Sequence, residues 1–182
     1  GFRKTLETVS RLRPDRIALY SYAHMPELFK AQNRINVLTL PNPALKLELF
    51  QTAVEFLIGH GYTYIGMDHF ALPDDELSVA QRNGDLHRNF MGYTTRKQTD
   101  LVGFGLSSIS QIADSFSQNA KDLATWTQRI ESATPATVRG MNTTCDDRIR
   151  AEVIQQIMCQ GQVRFKDIEH RFELDFADYF RD

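Results

Sequence analysis

Apolar positions recur at a helical period from the start of the chain, at Phe2, Leu6, Val9 and Leu12, and Pro14 ends the pattern. No capping residue precedes it, so the chain is expected to begin inside a helix or just before one. Ile17 to Tyr22 is a short apolar and aromatic run that gives way to polar Ser21 and His24, the pattern of a buried strand. Pro41-Asn42-Pro43 then predicts a helix entrance, with Asn42 as N-cap and Pro43 at the first helical position. Leu45, Leu49, Val54, Leu57 and Ile58 supply that helix's apolar face, and Gly59 or Gly61 ends it. Tyr62 to Met67 makes the next strand. Pro73-Asp74-Asp75-Glu76 opens another helix, its acids suited to the positive helix start. Strand alternates with helix, which predicts an α/β fold with a parallel sheet.

After Gly84 the rhythm loosens. Asn89 to Thr95 reads as an extended loop or hairpin, and Leu101 to Leu106 as a further strand. Asn119 is expected to cap a helix running through Trp126 to Ile130. Thr143-Thr144 followed by Asp146-Asp147 introduces an amphipathic helix with Ile149, Val153, Ile154, Ile157 and Met158 inward, stopped by Gly161. Val163 to Phe165 is short and extended. Helical patterns follow at Lys166 to Phe172 and Asp175 to Phe180, and the last stops at Asp182 without a terminator. Small helices predominate after about Thr143, so a second, mostly helical module is expected from residue 143 onward. Both ends are expected to fall within structural elements.

Composition narrows the function classes. The 182 residues are 42% hydrophobic and 24% charged, in the globular range, with a formal charge of −2 that gives no reason to expect nucleic acid or an anionic membrane as partner. No apolar run approaches the roughly 20 residues that span a bilayer. The opening Gly-Phe-Arg-Lys-Thr-Leu-Glu lacks the apolar stretch of a secretion signal. Cys145 and Cys159 are too few and too far apart for a metal knuckle or a disulfide scaffold. A reduced, cytoplasmic setting is the expectation.

Candidate chemistry lies between Tyr62 and Ser110. Asp68-His69 follows one predicted strand and His24 follows another, positions where a barrel enzyme places functional groups. Together they could be metal ligands or an acid/base pair, as in a metal-dependent barrel hydrolase; without a third ligand at a telling spacing, hydrogen bonding to loop backbone is the expected role. Gly103-Phe104-Gly105-Leu106-Ser107-Ser108 lacks the third glycine of a dinucleotide loop and the Lys of a P-loop. Ser107, Ser108 and Ser110 lack a G-x-S-x-G elbow, so structural hydroxyls are expected. Arg82, Arg88, Arg96 and Lys97 cluster around the middle loops, where they could hold carboxylates or simply be solvated.

Four linked stretches carry more. S-Y-A-H-M-P at Ser21–Pro26, G-M-D-H-F-A-L-P-D-D-E-L at Gly66–Leu77, H-R-N-F-M-G-Y-T-T at His87–Thr95 and G-L-S-S-I-S at Gly105–Ser110 closely resemble, in order and spacing, the bacterial oxygen-independent coproporphyrinogen III oxidases, or coproporphyrinogen dehydrogenases. The resemblance covers nearly the whole chain. It implies a radical S-adenosylmethionine (SAM) enzyme that oxidatively decarboxylates two propionates of coproporphyrinogen III to vinyl groups, giving protoporphyrinogen IX for haem. Its cofactors would be two SAM molecules and a [4Fe-4S] cluster held by a C-x-x-x-C-x-x-C motif. That motif does not occur in these 182 residues, and Cys145 and Cys159 match it neither by position nor by spacing. The chain is therefore expected to be a C-terminal fragment, inactive alone. Residues 1–142 would be the last strands of a partial (β/α) barrel, and residues 143–182 the start of a helical C-terminal domain.

The resemblance also implies site residues. Ala23 matches a residue contacting a second SAM, and Ile109 one contacting the cluster-bound SAM. Phe90-Met91 matches a loop near the active site in which relatives carry Gln where Met91 stands, and a thioether cannot replace an amide's hydrogen bonds. No metal ligand is expected in this chain. Expected partners are the porphyrinogen and an electron donor, with a monomeric enzyme, no nucleic acid and no membrane. The runner-up is a haem-carrying relative, for which a Tyr-Glu-x-Ser-Asn-Tyr-Ala segment and an H-N-x-x-Y-W stretch are expected; neither occurs.

Overall fold

A computed structural model describes residues 1–97 and 99–181. By packing they fall into two compact units, Gly1–Asn83 and Gly84–Asp182. This division is a different property from the module boundary expected near Thr143. Asp182, where the last helical pattern runs out, lies outside the described residues.

In the first unit, α1 (Phe2–Leu12) ends at Arg13 in left-handed conformation, and β1 (Arg16–Ala18) follows at once. Helix α2 (Pro43–Gly59) begins as its sequence dictates: the Asn42 side chain accepts from the Leu45 N–H at 2.8 Å, and Pro43 fills the position where no N–H is needed. Ala53 and Leu57 form its buried stripe, while Leu45 and Ile58 of the expected apolar face are exposed. Strands β2 (Thr63–Gly66) and β3 (His69–Ala71) make a tight hairpin, and α3 (Glu76–Asn83) closes the unit. Leu57, Tyr62 and Phe70 are the centre of the core, with Ile17, Leu19, Val54, Phe56 and Leu72 packed around them. The Tyr62 hydroxyl donates to the Pro14 carbonyl at 2.8 Å, so the buried ring keeps its polar end satisfied.

The expected parallel sheet is not what forms. Strand β3 lies between β1 and β2 and is antiparallel to both, so β1 and β2 point the same way without pairing. The α2 crossover therefore survives, but a hairpin strand occupies the space between the two parallel strands. The cause is local: Gly66 at φ 150° and Met67 at φ 51° reverse the chain just where the sequence pattern reads as an open loop. All strand pairs among the described residues are antiparallel.

The second unit opens with the hairpin β4 (His87–Asn89) and β5 (Gly92–Thr94), as its pattern suggests. A three-stranded antiparallel sheet follows, in the order β6 (Ile109–Ile112), β7 (Ser115–Asn119), β8 (Thr137–Asn142), with α4 (Leu123–Glu131) connecting β7 to β8. The expected strand at Leu101–Leu106 is instead a loop tied to β6 by one bridge, Leu101 to Gln111. Its glycines and the serine side chains take over what a ladder would supply: the Gly103 N–H donates to Ser110 Oγ at 3.0 Å, and Gly105 sits at φ 93°. Asn119 belongs to β7, and Asp122 caps α4.

Helix α5 (Cys145–Gln160) carries the expected capping box, Thr144 with Asp147, and ends at Gly161 in left-handed conformation. Ile149 is buried, but Ile154 and Ile157 of the expected inward set are exposed. Helices α6 (Phe165–Phe172) and α7 (Phe176–Tyr179) follow, joined by stacked Phe165 and Phe176 with centroids 4.2 Å apart. Val163 to Phe165 forms no strand.

Candidate functional site

Each unit presents its share of the sequence-identified residues. In the first, exposed Ala23 lies in the loop after β1, and Gln32 fixes that loop with both ends of its amide. Gln32 Nε2 donates to the Ala23 carbonyl at 3.2 Å, and the Met25 N–H donates to Gln32 Oε1 at 2.5 Å. Tyr22 Oη lies 3.2 Å from His24 Nδ1. Asp68 occupies the β2–β3 turn, where its carbonyl accepts from the Leu19 N–H at 2.7 Å. His69, the first residue of β3, places Nδ1 2.6 Å from Asp68 Oδ1. Asp68 and His69 therefore sit in a hairpin rather than in the open strand-to-helix loop expected of them. Among the described residues, no three His, Cys, Asp or Glu side chains are grouped so that they could hold a metal ion.

In the second unit, Phe90 and Ile109 line one apolar cleft of about 310 Å³ on the β6–β7–β8 sheet. Register explains its composition. Ile109 faces Gln118 and Gln111 faces Phe116 across β6–β7; Phe116 faces Met141 and Gln118 faces Arg139 across β7–β8. Directly opposed residues share a face, so Ile109, Phe116 and Met141 make an apolar floor, and Arg139 with Gln118 makes a polar end. Arg139 Nε donates to Gln118 Oε1 at 2.8 Å. Phe90 closes the cleft from the β4–β5 turn, edge-on to Phe116 with centroids 5.4 Å apart. Met91 does not line the cleft; its side chain is exposed and its N–H donates to Asn89 Oδ1. A methionine that faces solvent can replace an amide here without leaving a buried group unpaired.

Two glycines, Gly103 in the loop before β6 and Gly140 in β8, allow the backbone to come this close. A Cβ on Gly103 would stand 2.6 Å from the Ile109 carbonyl oxygen, and one on Gly140 would stand 2.8 Å from that of Phe116. Both approaches are backbone to backbone, so no side-chain rotation relieves them. The serines of the G-L-S-S-I-S stretch serve the same loop. Ser108 Oγ donates to the Gly105 carbonyl at 2.9 Å, and Asn119 Nδ2 donates to that carbonyl and to Ser108 Oγ. Sequence patterning missed the whole β6–β7–β8 sheet, and with it the cleft. The four residues of β6, Ile109-Ser110-Gln111-Ile112, do not alternate apolar with polar, so no period marks the strand.

The cysteines do not fit an iron–sulfur cluster. Cys145 is exposed at the start of α5, and Cys159 is buried in its last turn. Burial pushes the Cys159 thiol up to about 11, with Arg88 and Lys97 pulling the other way, and the two thiols stand at opposite ends of one helix, roughly 20 Å apart along its axis, too far to share a cluster.

The arrangement is similar to a segment of a solved enzyme. It superposes with a TM-score of 0.95 and 48% identity on the solved Escherichia coli coproporphyrinogen III oxidase, described as a radical SAM enzyme, covering 99% of this chain and 42% of that one. The chain is homologous from end to end to the oxygen-independent coproporphyrinogen III oxidases. It is 49% identical over 180 residues to the Pseudomonas aeruginosa protein and 48% identical over 180 residues to that of Escherichia coli, in each case covering 99% of this chain and 39% of the relative. It is 46% identical over 181 residues to the Thermostichus vulcanus protein, covering 99% of this chain and 56% of that relative. The chain thus spans between about two-fifths and just over half the length of these relatives. No family model matches it. Among the described residues no helix is long and apolar enough to cross a membrane.

Proposed function

We propose that this chain is part of an oxygen-independent coproporphyrinogen III oxidase, an oxidoreductase that converts two propionates of coproporphyrinogen III to vinyl groups with loss of carbon dioxide. The observation that carries this reading is the end-to-end match to such enzymes, with a TM-score of 0.95 to a solved one. In the whole enzyme, residues 1–142 would complete a (β/α) barrel and residues 143–182 would begin the helical domain. The cluster would be held by residues outside this stretch, with an external electron donor, in a soluble cytoplasmic monomer.

Within that reading, two positions on this chain meet SAM, one molecule in each unit. Ile109 and Phe90 offer an apolar wall and an aromatic edge that suit a flat adenine, and the Arg139–Gln118 end offers polar atoms to the rest of the nucleoside. Ala23, with its backbone fixed by Gln32, meets the second. Bound SAM supplies the hydrogen-abstracting chemistry; the residues here hold and orient it. The haem-carrying alternative has no observation in its favour, and neither has the hydrolase.

The test is conversion. The protein that contains this chain, reconstituted anaerobically with iron and sulfide and given SAM and a reductant, should turn coproporphyrinogen III into protoporphyrinogen IX. Absence of any vinyl product would defeat the reading.

A further inference from the structure

Beside the apolar cleft lies a second cavity of different character. It occupies about 200 Å³ between the β4–β5 hairpin, the loop that follows it, β6 and α5. Arg96, Lys97 and Arg171 line it, and Glu152 is the one acid on its wall. That acid is already engaged: its Oε2 pairs with Arg171 and its Oε1 accepts from Gln156 Nε2 at 3.1 Å. Arg96 and Lys97 have no ion-pair partner among the described residues. Gln160 Nε2, on a side chain lining the same cavity, is buried without an acceptor. Two uncompensated cations and an idle amide donor around one small cavity call for an oxyanion. The cavity's size suits a carboxylate on a short aliphatic arm and excludes a tetrapyrrole macrocycle.

Its position gives the arm an owner. Gln111 lines this cavity and Ile109 lines the apolar cleft, two residues apart on the same face of β6, or about 7 Å along the strand. Asn89 and Phe90, adjacent in the chain, divide in the same way between the two cavities. We propose that this pocket receives a propionate carboxylate of the tetrapyrrole, gripped by Arg96 and Lys97 with Gln160 Nε2 as a further donor. The assignment rests on the proposed function, because only that reading sets a propionate beside the Ile109 cleft. An aliphatic carboxylate also ends the methionine portion of SAM, so the two sources must be told apart.

The experiment measures equilibrium binding to the whole protein that contains this chain, for wild type, the double variant Arg96→Gln/Lys97→Gln and the charge-keeping Arg96→Lys. The ligands are coproporphyrin III, its tetramethyl ester and SAM. Both side chains are exposed, so folding should be unaffected. The double variant should bind coproporphyrin III about 10- to 100-fold more weakly, the loss expected of charge-assisted hydrogen bonds. Arg96→Lys should recover part of that affinity, while the ester and SAM should bind all three proteins alike. Unchanged coproporphyrin affinity in the double variant, with wild type still converting coproporphyrinogen III, would overturn the pocket and leave the proposed function standing. Loss of SAM affinity instead would assign the pocket to SAM's carboxylate and overturn the proposal. A wild type that neither binds the porphyrin nor converts the porphyrinogen would overturn both.

Discussion

The sheet of the first unit and the sheet of the second use β-structure for opposite ends. In β1–β3–β2, Ile65, Phe70 and Ala71 are sealed, and Phe70 is 1% exposed beneath α2. In β6–β7–β8 no strand residue is fully buried, and every residue of β8 is exposed. The first sheet is a core that holds loops such as Ser21–Pro26 in place. The second is a half-open surface whose side chains line cavities. A sheet that displays its face cannot also be the main source of its unit's stability; in the second unit buried Ile149 and Ile168 on the helices and Tyr93 in the hairpin carry more of it.

Paired truncations test that contrast first. Phe70→Ala should cost roughly 3–5 kcal/mol in denaturant unfolding, as expected for a sealed aromatic. Phe116→Ala, on the half-open sheet, should cost well under half as much. Equal costs would erase the distinction.

Gly103→Ala sharpens it. The new methyl would meet the Ile109 carbonyl at 2.6 Å, so the loop or β6 must move, at a cost of about 1–3 kcal/mol. Because β6 forms the floor of the cleft, SAM affinity should fall along with the unfolding midpoint. A stability loss with SAM affinity intact would separate Gly103 from the site.

The smallest effect is on pH dependence, and it belongs to the second unit. Burial, then the charge of Lys97, holds the His87 imidazole below its ordinary 6.5, with Glu152 opposing. An unfolded His87 takes up a proton near 6.5 while the folded one does not. Its contribution is therefore whole above that value and is lost as pH falls through the lowered one. Cys159 works in the other direction: the unfolded thiol ionises near 9.0 and the folded one near 11, so stability is lost as pH rises across that window. Midpoints measured against pH should fall at both edges, and Cys159→Ala should lessen the alkaline fall while leaving the acid one unchanged.

Helix entrances were legible because their chemistry is local. Asn42-Pro43 and Thr144 with Asp147 name their helices by side chains that satisfy backbone groups two or three residues away. The partnering of strands was not, because it depends on what lies beside them. Tyr62–Met67 reads as a strand feeding a helix, yet two positive φ angles turn it into a hairpin that parts β1 from β2. The half-exposed β7 and the exposed β8 carry no period to read. For the site, resemblance pointed to Phe90 and Ile109, and only the fold brought them to one cleft. Of the pocket proposed for a carboxylate, the sequence shows only a cluster of basic residues that could hold one or be solvated, since Glu152 and Gln160 reach it from α5.

The central claim is that the Ile109 face of β6 meets SAM, and opposite faces of one strand give the most direct test. Ile109→Asp and Ile112→Asp make the same chemical change on residues that point to opposite sides of β6, in the whole protein that contains this chain. Equilibrium SAM binding should weaken at least ~10-fold for Ile109→Asp, about 1.4 kcal/mol or more, and stay at the wild-type value for Ile112→Asp. Equal affinity for the two variants would contradict the claim.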